Sequence, residues 1–253
     1  MKKFWSRLTY SLVLLMAAAL FFSVAAANSG AITIYLPLIS NGMSTPEPTP
    51  EPTPEPTPEP SGVHILDNDS HYIDDFGLLN VVAEVQNNTT NTVNLDSISV
   101  KFYDAGDNLL ETELALVVLD NLPGNEKTCF DVELIEPSGW SYYVIETPSY
   151  VSIGDIPFPN LTILNDNFTF NSGFGFYEID GQVRNDHSST VDDITLVGTL
   201  YNASGEVIGC DAELLLFVSL NPGETDTFDI SFIGRDYSDY DSHRVQADGD
   251  TIP

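Results

Sequence analysis

Residues 64–110 of this 253-residue chain align with residues 162–208 at one constant offset of 98, without a gap. The alignment sets Leu66 on Leu164, Phe76-Gly77 on Phe174-Gly175, Val85 and Asn87 on Val183 and Asn185, Thr92-Val93 on Thr190-Val191, and Tyr103 on Tyr201. Further along, Pro123-Gly124 matches Pro222-Gly223 and Phe130-Asp131 matches Phe228-Asp229. Such a period is too long for a solenoid repeat and suits a whole small domain. An unbroken offset also demands a common strand register, because a slip of one residue turns a core face to water. The expectation is one domain carried twice, at 62–147 and 160–253, with 148–159 as a connector of few contacts. Each half is large enough to hold a core of its own.

Within each copy the apolar spacing is that of strands. Leu79, Val81, Ala83 and Val85 alternate with polar neighbours, as do Ile98, Val100 and Phe102, and Phe130, Val132 and Leu134. The second copy repeats this with Ile194, Leu196 and Leu200, and with Phe228, Ile230 and Phe232. Turn chemistry separates the runs, at Asp104-Ala105-Gly106-Asp107-Asn108, Asn202-Ala203-Ser204-Gly205, Leu122-Pro123-Gly124 and Asn221-Pro222-Gly223. The apolar runs Leu114 to Leu119 and Leu214 to Val218 read as strands buried on both sides or carrying a bulge. The fold class is therefore all-β: two tandem immunoglobulin-like β-sandwiches, following a signal peptide and a disordered Pro-rich linker.

These residues resemble the FxLYD domain, an immunoglobulin-like module of bacterial and archaeal surface proteins. The resemblance rests on Val85-x-Asn87, Val100-Lys101-Phe102-Tyr103-Asp104 and Pro123-Gly124, and in the second copy on Gly181-x-Val183-x-Asn185, Gly198-Thr199-Leu200-Tyr201-Asn202 and Pro222-Gly223. Both copies depart from the motif at its first position, with Val100 and Gly198 in place of Phe. Phe102 replaces the Leu of the first copy and Asn202 the Asp of the second. The resemblance implies a fold and an extracellular habit but no activity. Tyr103 and Tyr201 are expected to cover an edge of the sandwich, and Asn87 and Asn185 to bond backbone at a turn.

Residues 1–27 open with Lys2, Lys3 and Arg7, continue as an apolar run from Leu12 to Val24, and end on Ala25-Ala26-Ala27, the pattern of a signal peptide. The alternative is an uncleaved anchor, since Leu8 to Ala27 is long enough to span a bilayer. Residues 28–61 follow as a short apolar tag, Ala31 to Ile39, and a linker, Pro46 to Pro60, in which Pro alternates with Glu or Thr. Such a linker favours polyproline II, and at about 3.1 Å per residue it makes a semi-rigid spacer roughly 45 Å long. The localisation expected is secreted or extracellular, with cell-surface association.

Removing the leader leaves five basic residues, Lys101, Lys127, Arg184, Arg235 and Arg244, against 38 acidic ones, a balance of −33. That field repels nucleic acid and anionic membrane surfaces. No HExxH, GxSxG or phosphate-cradling run occurs, and His64, His71, His187 and His243 are scattered. The reading is a non-enzymatic binding or spacer module without catalytic, metal or cofactor site residues. Its expected partner is an extracellular protein or cell-envelope component, with no cofactor. An alternative is a carbohydrate-binding module using an aromatic platform of Trp140, Tyr142 and Tyr143, or of Tyr237 and Tyr240; an enzyme of unknown type is more remote. Asp67-Asn68-Asp69, Asp74-Asp75 and Asn165-Asp166-Asn167 offer oxygen ligands for weak Ca²⁺ binding, but none completes a DxDxDG loop and solvated turns are the favoured reading. Cys129 and Cys210 fall at non-corresponding positions of the two copies. They are read as small core thiols, with a bridge between copies as the alternative if side-by-side packing brings their Cα atoms within about 7 Å. With so unbalanced a charge, thermal melting is expected to rise as NaCl screens self-repulsion; a rise with Ca²⁺ at fixed ionic strength would instead reveal a cation site.

Overall fold

The computed structural model describes residues 61–252 except Leu116, Asp120 and 155–158. The leader, the apolar tag, the Pro-rich linker and part of the expected connector lie outside the described residues. Among the described residues every regular element is a strand. The first copy holds β1 (Val63–Ile65), β2 (Ser70–Ile73), β3 (Leu78–Asn87), β4 (Thr92–Leu95), β5 (Ile98–Tyr103), β6 (Leu109–Ala115), β7 (Asn121–Leu122), β8 (Lys127–Ile135), β9 (Tyr142–Glu146) and β10 (Tyr150–Gly154). The second holds β11 (Leu161–Asn171), β12 (Phe176–Asn185), β13 (Thr190–Asn202), β14 (Val207–Leu215), β15 (Thr225–Phe232) and β16 (Tyr240–Ile252).

Each copy is a two-layer antiparallel sandwich. In the first, β3 is flanked by β8 and by β1 and β2 in succession, and the opposite layer is built from β6-β5-β9 and β7-β4-β10. In the second the layers are β11-β12-β15 and β14-β13-β16. The copies differ where β4 and β5 are interrupted after Leu95: β13 runs on as one strand, absorbing the irregularity as a bulge between Asp192 and Thr195 with Asp193 at φ 47°. The alternation read from sequence sets the cores. Leu79, Val81, Ala83, Val85, Ile98, Val100 and Phe102 pack against Phe130, Val132 and Leu134, and Ile179, Ile194, Leu196 and Leu200 against Phe228, Ile230 and Phe232.

The repeat is longer than the motif pattern suggested. It runs from Val63 to Gly154 and from Leu161 to Ile252, so the common offset holds at both ends. Residues 150–154, expected in a connector, form β10 and pair with β4 from Tyr150↔Leu95 to Gly154↔Thr92. Another correction concerns the turn before β8 and β15. Asn125 and Gly223 donate a backbone N–H to the carbonyls of Asn87 and Asn185, the residues that end β3 and β12, and both have positive φ, 64° and 80°. Pro123 therefore corresponds to Asn221 and not to Pro222; the left-handed position, which Asn and Gly tolerate best, fixes the equivalence. The apolar runs also differ from expectation. β6 ends at Ala115 and β14 at Leu215, and beyond β14 the chain turns through Phe217, left-handed at φ 63° and fully exposed.

Asn87 and Asn185 close the same loop in each copy. Asn87 Nδ2 donates to the carbonyls of Asn91, Leu122 and Pro123 at 2.9–3.0 Å, and its Oδ1 accepts Thr89 N–H. Asn185 does likewise with Ser189, Leu220 and His187. Both are wholly buried, where unmet carbonyls would each cost about 1–3 kcal/mol.

The departures at the first motif position have a packing cause. Val100 and Gly198 both face the core, and a Cβ at Gly198 would come within 3.1–3.3 Å of Ile179, Ile230 and Phe232. The corresponding residues around Val100 are Val81, Val132 and Leu134, each smaller. Volume lost at one position is regained at three facing it, as close packing requires. Gly198→Val is expected to destabilise the protein by about 1–3 kcal/mol in urea denaturation, and Phe232→Leu added to it should recover part of that loss.

Candidate functional site

Alternation that buries one face of a strand exposes the other, and here the other faces meet. Residues 56–253 form one compact unit, in which β14 lies against β2, β3 and β8, and β13 against β8. Because Val81, Ala83 and Val85 point into the first core, Val82 and Glu84 point out of it. Leu196 and Leu200 likewise leave Val197, Thr199 and Tyr201 on the outside of β13. These outward side chains are buried between the copies. Leu119, Cys129 and Val197 form a small apolar cluster there with Cys210 and Ala212.

Cys129 and Cys210 form a disulfide across this junction, with Cα atoms 5.8 Å apart. This corrects the reading of two core thiols. Cys129 sits on β8 beside the inward-facing Phe130, so it faces the other copy, which brings its partner within bridging distance.

Around the disulfide lies a polar cluster centred on Glu84, whose carboxylate is fully buried. Lys127 Nζ and Asn68 Nδ2 each donate to its Oε2 at 2.7 Å, and Tyr201 Oη donates to its Oε1 at 2.7 Å. Three donors, one from the second copy, replace the water this charge has lost. Burial first, and then the Glu84 charge, push the Tyr201 phenol well above its ordinary range, so it stays a donor. Lys127 also lies 5.1 Å from the Tyr201 ring centroid. Arg244 ties the copies together at one side, donating to Lys127 O at 2.8 Å and to the Glu126 carboxylate at 2.6 Å. At the other side Arg235 stacks 4.6 Å above Tyr72, while the backbone bonds Val207 N to Asn68 O and Asp75 N to Gly234 O, both at 2.7 Å. A cleft of about 310 Å³ opens beside Arg244, between Leu119, Leu122, Leu161 and Ile163.

The aromatic candidates are scattered into other roles. Trp140 is half-buried, edge-on to His71 and Phe102 at 5.3 and 5.8 Å, with its indole N–H held by Glu136. Tyr143 packs on the same core and donates to Asp69. Tyr237 is buried and Tyr240 stacks on Phe168. Of the five, Tyr142 alone presents an exposed ring, stacked on Tyr103 at 5.2 Å. In the acidic turns Asp69 accepts from Tyr143, Asp74 Oδ1 accepts the N–H groups of Phe76 and Leu78, and Asp166 contacts His243, while Asn68 is itself a donor, to Glu84. Among the described residues no three His, Cys, Asp or Glu side chains gather as a metal site.

Sequence reasoning missed the junction because its members belong to different copies and occupy unequal positions. The available signal was Val82, an apolar residue on the polar face of β3.

Packing also sets a pH dependence. Asp211 borders the junction on β14, where burial, and then the charge of Asp131 in the other copy, raise its carboxyl to about 6; a backbone bond from Ala212 opposes them. An acid whose value is raised by folding holds its proton more tightly in the folded state, so stability is greatest at low pH and declines as pH rises from about 4 to 6. Its open edge to solvent moderates the effect. Asp211→Asn is expected to raise the urea midpoint at pH 7 and to leave it little changed near pH 4.

Neither a family model nor a curated protein matches this chain. Among solved structures it is similar to red sea bream transglutaminase, at 9% identity and a TM-score of 0.23, over 76% of this chain and 29% of that one. The chain spans less than a third of that enzyme's length, and a likeness at this TM-score carries no argument about fold or activity.

Proposed function

We propose that the protein is an exported, non-enzymatic module that displays two immunoglobulin-like sandwiches as one stiff body on a Pro-rich stalk, for binding or spacing at the cell envelope. The disulfide between the copies is the observation that carries this reading. Disulfides persist in oxidising compartments, which agrees with the leader-like residues 1–27. The bridge spans 81 residues of sequence, and in the chain-entropy account such a closure stabilises the fold by about 4–5 kcal/mol. It also ties the copies together where two beads on a string would swing apart. The carbohydrate-binding alternative around Trp140 draws less support, since Trp140 and Tyr143 are committed to packing and Tyr142, stacked on Tyr103, is what remains of that platform.

Cell fractionation with thiol labelling tests the proposal. The protein is expected outside the cytoplasmic membrane, beginning near Asn28, with Cys129 and Cys210 unreactive until reduced. A cytoplasmic protein with two labelled thiols would overturn it. Specific sugar binding on a glycan array that is lost in Tyr142→Ala would move the reading to the carbohydrate-binding module.

A further inference from the structure

Asn68, Glu84 and Lys127 lie side by side on three neighbouring chain segments, and the geometry points to a covalent reaction among them. We propose that Lys127 and Asn68 form an isopeptide bond, with Glu84 moving the protons. The inference is independent of the protein's location and partners.

The arrangement is set by the sheet. β3 is central; Gln86 on it pairs with Lys127 of β8, and its other side carries the segment joining β1 to β2, where Leu66 N–H donates to Glu84 O at 2.9 Å. Asn68 and Lys127 therefore flank Glu84 from opposite sides. Their nitrogens bond the same carboxylate oxygen at 2.7 Å each, so they lie within twice that distance of each other. A second observation marks the amide as unusual. Asn68 Oδ1 is buried without a hydrogen-bond partner, although a buried amide oxygen is ordinarily satisfied. It is a carbonyl in need of a donor, beside a carboxyl that becomes one on taking up a proton.

The chemistry balances without oxidant, metal or cofactor. Lys127 Nζ passes a proton to Glu84, leaving a neutral amine and a carboxylic acid. The Nζ lone pair attacks Asn68 Cγ while the Glu84 proton moves to Oδ1. Glu84 then takes the second Nζ proton and delivers it to Nδ2; as the Cγ–Nδ2 bond breaks and the C–O double bond re-forms, the Oδ1 proton returns to Glu84, which hands it to the departing ammonia and is left as a carboxylate. One Nζ–Cγ amide is gained, one Cγ–Nδ2 amide is lost, and ammonia departs. The side chain of Lys127 is about one-third open, which provides an exit. Tyr201 is a positioning residue: its hydroxyl holds Oε1 and leaves Oε2 to the two reacting groups. The reaction thus requires the second copy to be docked.

Peptide mapping of the purified, folded protein by mass spectrometry, after disulfide reduction, tests this. The expected result is a branched peptide joining the segments of Asn68 and Lys127, lighter than its two parts by about 17 Da, the mass of ammonia. Lys127→Arg and Glu84→Gln are expected to give separate, unbranched peptides, and Tyr201→Phe to slow branching in newly made protein. An unmodified Lys127 peptide from folded, disulfide-bonded wild-type protein would overturn the proposal and leave the three residues as a solvating shell. Branching undiminished in Glu84→Gln would overturn the role of Glu84. The wild-type map decides the main question whether or not a variant folds.

Discussion

The structure depends on the burial of Glu84. A carboxylate at the centre of a sheet's outer face must meet water or a matching set of donors, and here Lys127, Asn68 and Tyr201 supply the set. Two of these donors belong to the first copy, but the arrangement closes only when β13 brings Tyr201 across. The polar bonds therefore specify which face of the second copy docks and in what register, while the apolar cluster around Cys129 and Val197 excludes water. Once the faces are matched, Cys210 meets Cys129 and the arrangement becomes permanent. Recognition is polar, and locking is covalent.

What the sequence revealed and concealed follows from the distance over which each signal acts. Core alternation at Val81, Ala83 and Val85 is local and was legible, as was the loop-closing role of Asn87 and Asn185. The end of the repeat was not legible. Tyr150 and Val151 are exposed on an edge strand and sit between Pro148 and Pro157, so they read as linker. Their strand nature comes from β4, which accepts them as partners. The turn before β8 misled for a different reason. Matching Pro to Pro followed chemistry that the backbone does not need at that position, whereas Asn125 and Gly223 supply the left-handed residue it does need.

The disulfide was hidden by the same repeat that revealed the fold. Corresponding positions in two copies invite comparison, and the cysteines do not correspond; Thr227 stands where Cys129 would be, and Thr112 where Cys210 would be. Yet a contact between unlike faces must use unlike positions. Unequal placement was itself compatible with a bridge, and the deciding fact, which way each strand faces, is set by side-chain parity within strands.

A contact between unlike faces also bears on size. Such an interface is directional, like one brick set on another, and its geometry contains no rule for stopping. Stacking in the same sense would place a further copy on the outer face of β12 and β15. There the side chains have changed: Asp180 replaces Val82, Gln182 replaces Glu84 and Thr225 replaces Lys127. Glu178 and Asp180 crowd Asp229 and, after burial, raise its carboxyl. The outer face of the second copy thus presents charge where the face between the copies carries a thiol and a matched carboxylate, so the surface that stacks once is not offered again on these strands.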